Sequence, residues 1–93
     1  MMHRDTKFSG LIFDRSYFNI GWTYRITSTN ENIDNAVLYQ KYNKSLVFAV
    51  PSDEDGLYCK IKLTPDLVGS ECYRFEHKTD VQFVNTHNIK FKV

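Results

Sequence analysis

The sequence predicts a mainly β protein, and two observations carry that expectation. Apolar and polar residues alternate with a period of two over 18-FNIGWTYRI-26, 57-LYCKIKL-63 and 89-IKFKV-93. That is the pattern of strands with one buried and one solvated face. Polar or glycine-bearing stretches punctuate the chain at intervals of roughly 8–12 residues, the spacing of short strands joined by turns. Together they imply an antiparallel sheet folded into one small barrel, with at most one short helix.

A first strand is expected over 8-FSGLIF-13, bounded by Asp14, Arg15 and Ser16. The second spans 18–26, with Phe18, Ile20, Trp22, Tyr24 and Ile26 on its inner face. Gly21 in its middle marks a bulge, a bend or the close approach of another backbone. In 28-STNENIDNAV-37, Ser28 and Glu31 match a helical capping box. The run of Asn and Asp favours turns instead, and the reading adopted is a loop leading into a strand. Then 36-AVLYQKY-42 and 45-SLVFAV-50 form a hairpin closed by Asn43 and Lys44, since Asn tolerates the left-handed conformation that a tight turn needs. In that register Tyr39 and Lys41 share one face, and Leu38, Gln40 and Tyr42 share the core side.

After the polar loop 51–56, residues 57–63 place Leu57, Cys59, Ile61 and Leu63 inward and Tyr58, Lys60 and Lys62 outward. The stretch 64-TPDLVGS-70 offers a Thr cap, a Pro at the first helical position and a terminating Gly, enough for one turn of helix. Short strands are expected at 72-CYRFEH-77 and 81-VQFV-84, and 85-NTHN-88 fits a four-residue hairpin loop into 89–93. In that last strand Lys90 and Lys92 face away from Ile89, Phe91 and Val93. This order of strands, with its single-turn insert before a late strand, resembles SH3-like small barrels over residues 18–84. At this length an SH3-like or OB-like, partly open barrel is the economical closure.

Ninety-three residues bound the chain to one domain, 1–93, with a single modest core. Fourteen aromatic residues (six Tyr, seven Phe and one Trp) help so small a core to close. A net charge of +1 excludes a domain steered to nucleic acid by overall charge. Two cysteines, Cys59 and Cys72, are too few for a secreted disulfide scaffold. No apolar leader or membrane-length run is present, so a cytoplasmic location with reduced thiols is expected. Pairing of Cys59 with Cys72 would require their strands to be neighbours.

No phosphate loop, nucleophile elbow or metalloprotease motif occurs, and no enzymatic activity or cofactor is expected. Cys59, Cys72, His3, His77 and His87 fit no zinc spacing, so no metal site is expected either. What remains is binding. The outward residues Tyr39, Lys41, Tyr58, Lys60 and Lys62 interleave rings with cations, as a single-strand nucleic-acid platform does. If the strands carrying Lys60 and Lys62 and those carrying Lys90 and Lys92 are neighbours, four lysines line one patch. The same tyrosines, with Tyr73 and Tyr17, suit a protein interface, where Tyr is enriched. Docking on a protein partner is the leading expectation and single-stranded nucleic acid the alternative. An exposed edge strand would also allow self-association. The bias toward Asn, Ile, Lys, Tyr and Phe resembles that of proteins from AT-rich genomes, and the small lone domain resembles accessory proteins of bacteriophages and mobile elements. That resemblance implies an inhibitor that occupies the surface of a host or defence complex.

Overall fold

A computed structural model describes residues 5–7, 17–28, 31–43, 45–64 and 73–93. Six strands appear among them: β1 (Asp5–Lys7), β2 (Thr23–Thr27), β3 (Asn32–Lys41), β4 (Leu46–Pro51), β5 (Tyr58–Leu63) and β6 (Arg74–His77). They form one antiparallel sheet in the order β1-β6-β2-β3-β4-β5. The central β2 to β5 is a meander of sequential hairpins, and β6 returns to the far side of β2. Among the described residues β1 and β5 do not pair, so the sheet is open rather than closed into a barrel. The only helical element described is a 3-10 turn at Thr86–Asn88, with Asn85 accepting the His87 N–H at 3.0 Å.

Both central hairpins depend on their turn residues. Ser28 N–H donates to the Glu31 carbonyl at 2.9 Å, and the Ser28 hydroxyl accepts the Glu31 N–H at 3.3 Å. The pair that could have capped a helix thus bonds across the β2–β3 connection, and the strand starts directly after it. Tyr42 N–H donates to the Ser45 carbonyl at 2.9 Å, a bond that joins the ends of the β3–β4 connection; Lys44 of the expected two-residue loop lies outside the described residues.

β3 differs from its expected register because it carries two bulges. Arg25 lies opposite both Asp34 and Asn35, with Asn35 at φ +60°. Asn is among the few residues that adopt this conformation readily. Tyr39 is a second extra residue, because Leu38 pairs with Phe48 while Gln40 pairs with Val47. Each bulge inverts the side-chain parity of the strand beyond it.

The strand expected over 18–26 is present only from Thr23. Residues 17–22 form a turn, because Gly21 sits at φ +95°. The ring of Phe83 lies so close that a Cβ on Gly21 would stand 2.1 Å from it. Phe18 is buried from this turn, whereas Ile20 is 46% exposed. Residues 81–84 and 89–93 do not form the expected hairpin. Val84 N–H instead bonds the Gly21 carbonyl, and the last segment makes a parallel bridge between Phe91 and Tyr58. The expected strand 8–13, Cys72 and all of the expected helical turn beyond Thr64 lie outside the described residues. Cys59, expected inward, is a free, exposed thiol near the start of the edge strand.

One face of the sheet carries the core. Tyr24, Ile26, Ala36, Leu38, Leu46, Phe48, Leu63 and Phe75 are buried there together with Phe18. Phe18 packs edge-on against Phe75 at 5.3 Å, and Tyr24 edge-on against Phe48 at 5.9 Å. Such edge-to-face pairs suit the ring quadrupoles. The turn is tied down by polar bonds. The fully buried Tyr24 hydroxyl donates to the Tyr17 carbonyl at 2.6 Å and accepts the Asn19 N–H at 2.9 Å. The Tyr17 hydroxyl donates to the Phe75 carbonyl at 2.8 Å and accepts the His77 N–H at 3.0 Å.

Three predictions test this arrangement. Gly21→Ala should cost about 2–4 kcal/mol in urea unfolding, from left-handed strain plus displacement of Phe83. Gly56→Ala, which shares the positive φ but meets nothing within 4 Å, should cost only about 1 kcal/mol. Tyr24→Phe should lose about 2 kcal/mol by orphaning two backbone groups. Burial, above all, raises the Tyr24 hydroxyl above its ordinary 10.0, with a smaller push from Tyr17 and a partly opposing bond from Asn19. The folded chain therefore holds that proton more tightly. Its contribution is intact below pH 10 and lost as pH rises through the folded value. Stability measured above pH 10 should fall less steeply in Tyr24→Phe than in the wild type.

Candidate functional site

The face opposite the core is covered at its centre and open toward the β5 edge. Along it the paired row Thr23, Val37 and Ala49 is buried, and Lys60 continues the row to the edge. The chain from Lys78 onward leaves β2 at Thr23, returns to Gly21 at Val84 and reaches β5 at Tyr58. Its closing contact is a pair of backbone bonds: Tyr58 N–H to the Lys90 carbonyl at 2.9 Å and Lys92 N–H to the Tyr58 carbonyl at 2.8 Å. This bridge delivers Phe91 to Tyr39, where the rings meet edge-on at 5.1 Å. The Lys60 ammonium sits over both, 4.7 Å from the Phe91 centroid and 5.3 Å from that of Tyr39. A cation held on two ring faces is fixed in place without being neutralised.

Beyond this pedestal lies an open groove of about 960 Å³, lined by Gln40, Tyr42, Asn43, Ser45, Val47, Lys60, Lys62 and Thr64. Its polar atoms are hydroxyls, amides and two ammonium groups, which suits a ligand rich in acceptor oxygens. Among the described residues its lining holds no carboxylate. The bulge at Tyr39 builds this groove, because it turns Gln40 onto the face of Lys62.

The residues singled out from sequence are therefore divided. Tyr39, Lys60 and Lys62 share the outer face, and Tyr58 anchors its end through the backbone. Lys41 leaves that face. The bulge pairs it with Leu46 on the core side, where its ammonium donates to the Phe18 carbonyl at 2.5 Å. Tyr73 packs half-buried against the core cluster. The four-lysine patch does not assemble, although the two segments are neighbours. Lys92 turns away from Phe91 toward Asp53, at 2.7 Å, and Glu54, at 3.7 Å. Phe91, Gln40 and Tyr42, expected inward, instead belong to this surface, Tyr42 being 49% exposed. The Asn43 turn is the available signal for Tyr42, since a residue flanking a hairpin loop is seldom covered. Nothing in the local sequence marks the bulge.

Elsewhere, Arg25 links Asp34 at 2.7 Å and Glu76 at 3.6 Å across three strands. The Asp34 bond above all raises the Arg25 guanidinium beyond its already high value. These groups are exposed, and such pairs add little. Among the described residues no three His, Cys, Asp or Glu side chains gather as a metal site, and no helix is long and apolar enough to cross a membrane.

Comparison with protein-family models, with curated proteins and with solved structures returns no match to this chain. The physical properties of the surface are thus what bears on function.

The pedestal makes a measurable claim. A double-mutant cycle of Lys60→Met with Phe91→Leu, read by urea unfolding, should give a coupling of about 0.5–1 kcal/mol. Additive losses would mean that the ammonium gains nothing from the ring.

Proposed function

We propose that this protein is a non-enzymatic binding module that docks on a protein partner through the outer face of β3, β4 and β5. The observation that supports this reading is the composition of that face. A fixed lysine on two aromatic rings adjoins a groove of amide, hydroxyl and ammonium donors. Aromatic rings such as those of Tyr39, Tyr42 and Phe91 are enriched at protein interfaces, where they provide rigid contact area and polar groups set orientation. The open sheet would serve as the sheets of SH3-like and OB-like small barrels do, with one face as the platform. Inhibition of a host or defence complex by occupying its surface is the specific form of the proposal, and it rests on the resemblance in composition and size.

Single-stranded nucleic acid is the second reading, favoured by the exposed Tyr42 beside Lys60 and Lys62. It is weaker because Lys41 and Lys92 are engaged elsewhere. A backbone-tracking row of cations is therefore shorter than the sequence implied, and phosphate neutralisation is what carries such binding.

Affinity capture from host lysate with wild-type protein and with the Lys60→Glu/Lys62→Glu variant checks the leading reading. One identified, stoichiometric protein retained by the wild type and lost by a folded variant is the expected result. In parallel, anisotropy with labelled DNA and RNA single strands at about 20 and about 200 mM salt addresses the alternative. Tight binding that collapses over this range would favour nucleic acid.

A further inference from the structure

We infer that the outer edge of β5, from Lys60 to Lys62, is a strand-addition site for an extended acidic segment of the partner. The inference rests on the protein-docking reading and specifies how the docking occurs. It starts from the ladder. β5 pairs with β4 on one side only, with Val50 opposite Cys59, Ala49 opposite Lys60, Phe48 opposite Ile61 and Val47 opposite Lys62. Tyr58 points its N–H and C=O away from β4, toward Lys90 and Lys92. Backbone direction alternates along an antiparallel strand. Lys60 and Lys62 therefore turn their own N–H and C=O groups the same way as Tyr58. The C-terminal segment bridges Tyr58 alone, so these groups have no hydrogen-bond partner among the described residues.

The side chains along this edge select the occupant. On the outer face stand Lys60 and Lys62, for which no acidic partner occurs among the described residues, since the ion pairs there involve Arg25 and Lys92. On the other face the intervening residue is half-buried Ile61. A guest strand in register would thus place carboxylates beside the lysines at every second position and apolar side chains beside Ile61 between them. Four or five residues suffice, at roughly 3.3 Å each, to span this edge. A second copy of this chain is disfavoured. Antiparallel pairing of two β5 edges would set lysines against lysines, and like charges directly opposite are destabilising. The edge repels its own kind and favours an acidic strand, and recognition through an added strand is a recurrent mode of peptide binding.

The test is anisotropy with a labelled peptide of about eight residues that alternates glutamate and valine, compared with two derivatives. Each derivative carries N-methyl groups on alternate backbone nitrogens, in one phase or the other. Strand addition uses the N–H groups of one phase only. One derivative should therefore bind at least about tenfold more weakly than the parent and the other nearly as well, a tenfold loss being what about one or two missing hydrogen bonds produce. A lysine–valine peptide should not bind. Equal affinities for both derivatives would overturn the inference, because binding would then be electrostatic without pairing. No binding of the parent peptide would overturn it too. If lysate capture still yields a partner lost on Lys60→Glu/Lys62→Glu, that failure belongs to the edge alone and protein docking stands. If capture fails while the peptide binds in one phase, the edge is a strand acceptor and the docking reading loses its support.

Discussion

The Tyr24 hydroxyl is the point on which the two halves of the chain depend. An irregular turn laid over a core exposes backbone N–H and C=O groups to an apolar environment, and each must find a partner. Tyr24 supplies one acceptor and one donor from beneath, to Asn19 and Tyr17. Tyr17 then repeats the device on β6, and Lys41 reaches across from β3 to the Phe18 carbonyl. Phe18 is buried only because this clasp holds the turn in place, and Phe18 in turn packs on Phe75 and Tyr24. Aromatic packing and polar satisfaction are here the same structure. Gly21 then turns the chain into β2 and leaves the surface over its Cα to Phe83.

From this anchor the sheet grows outward to a face whose chemistry depends on one extra residue. Had β3 paired without a bulge at Tyr39, Gln40 would lie on the core side and Lys41 would join Lys60 and Lys62. The bulge exchanges them. It gives the outer face an amide instead of a third cation, and it gives the core side an ammonium long enough to satisfy a carbonyl of the turn. Charge that composition alone would spread over the surface is thereby divided between structure and site. The C-terminal bridge completes the division, bringing Phe91 under Lys60 while sending Lys92 to the acidic loop.

How much of this is legible in the sequence depends on the range of each interaction. The two central hairpins depend on contacts between residues a few positions apart, and the polar stretches between their strands mark them in the sequence. The alternation in 57–63 places Lys60, Lys62 and Leu63 on their correct faces, and fails at Cys59, where the edge strand has no cover. The pattern in 18–26 misleads because period two is also produced by a turn whose buried ring, Phe18, is succeeded at even spacing by an exposed Ile20. Its glycine is the clue that a strand could not run through. Least legible are the bulge at Tyr39 and the bridge from Phe91 to Tyr58. The bridge joins residues 33 positions apart, and the bulge, although it lies within one hairpin, leaves no trace in the local pattern. The outward placement of Lys60 and Lys62 is legible from their strand alone; the rings beneath Lys60 are not legible as its support.

The order in which such a chain can assemble is set by its connections. β2 to β5 fold back on themselves in sequence and can form soon after they are made. The bonds that close the structure join residues 58 and 60 positions apart at Tyr17, and the bridge from Phe91 to Tyr58 spans 33. Contacts of such separation form slowly, since the loop must close before they contribute. For that interval the entire edge of β5 lies bare in a partly folded chain, where an unguarded strand would recruit its neighbours. Lys60 and Lys62 are already in place by then, so the two charges that mark the finished surface also keep the nascent one soluble.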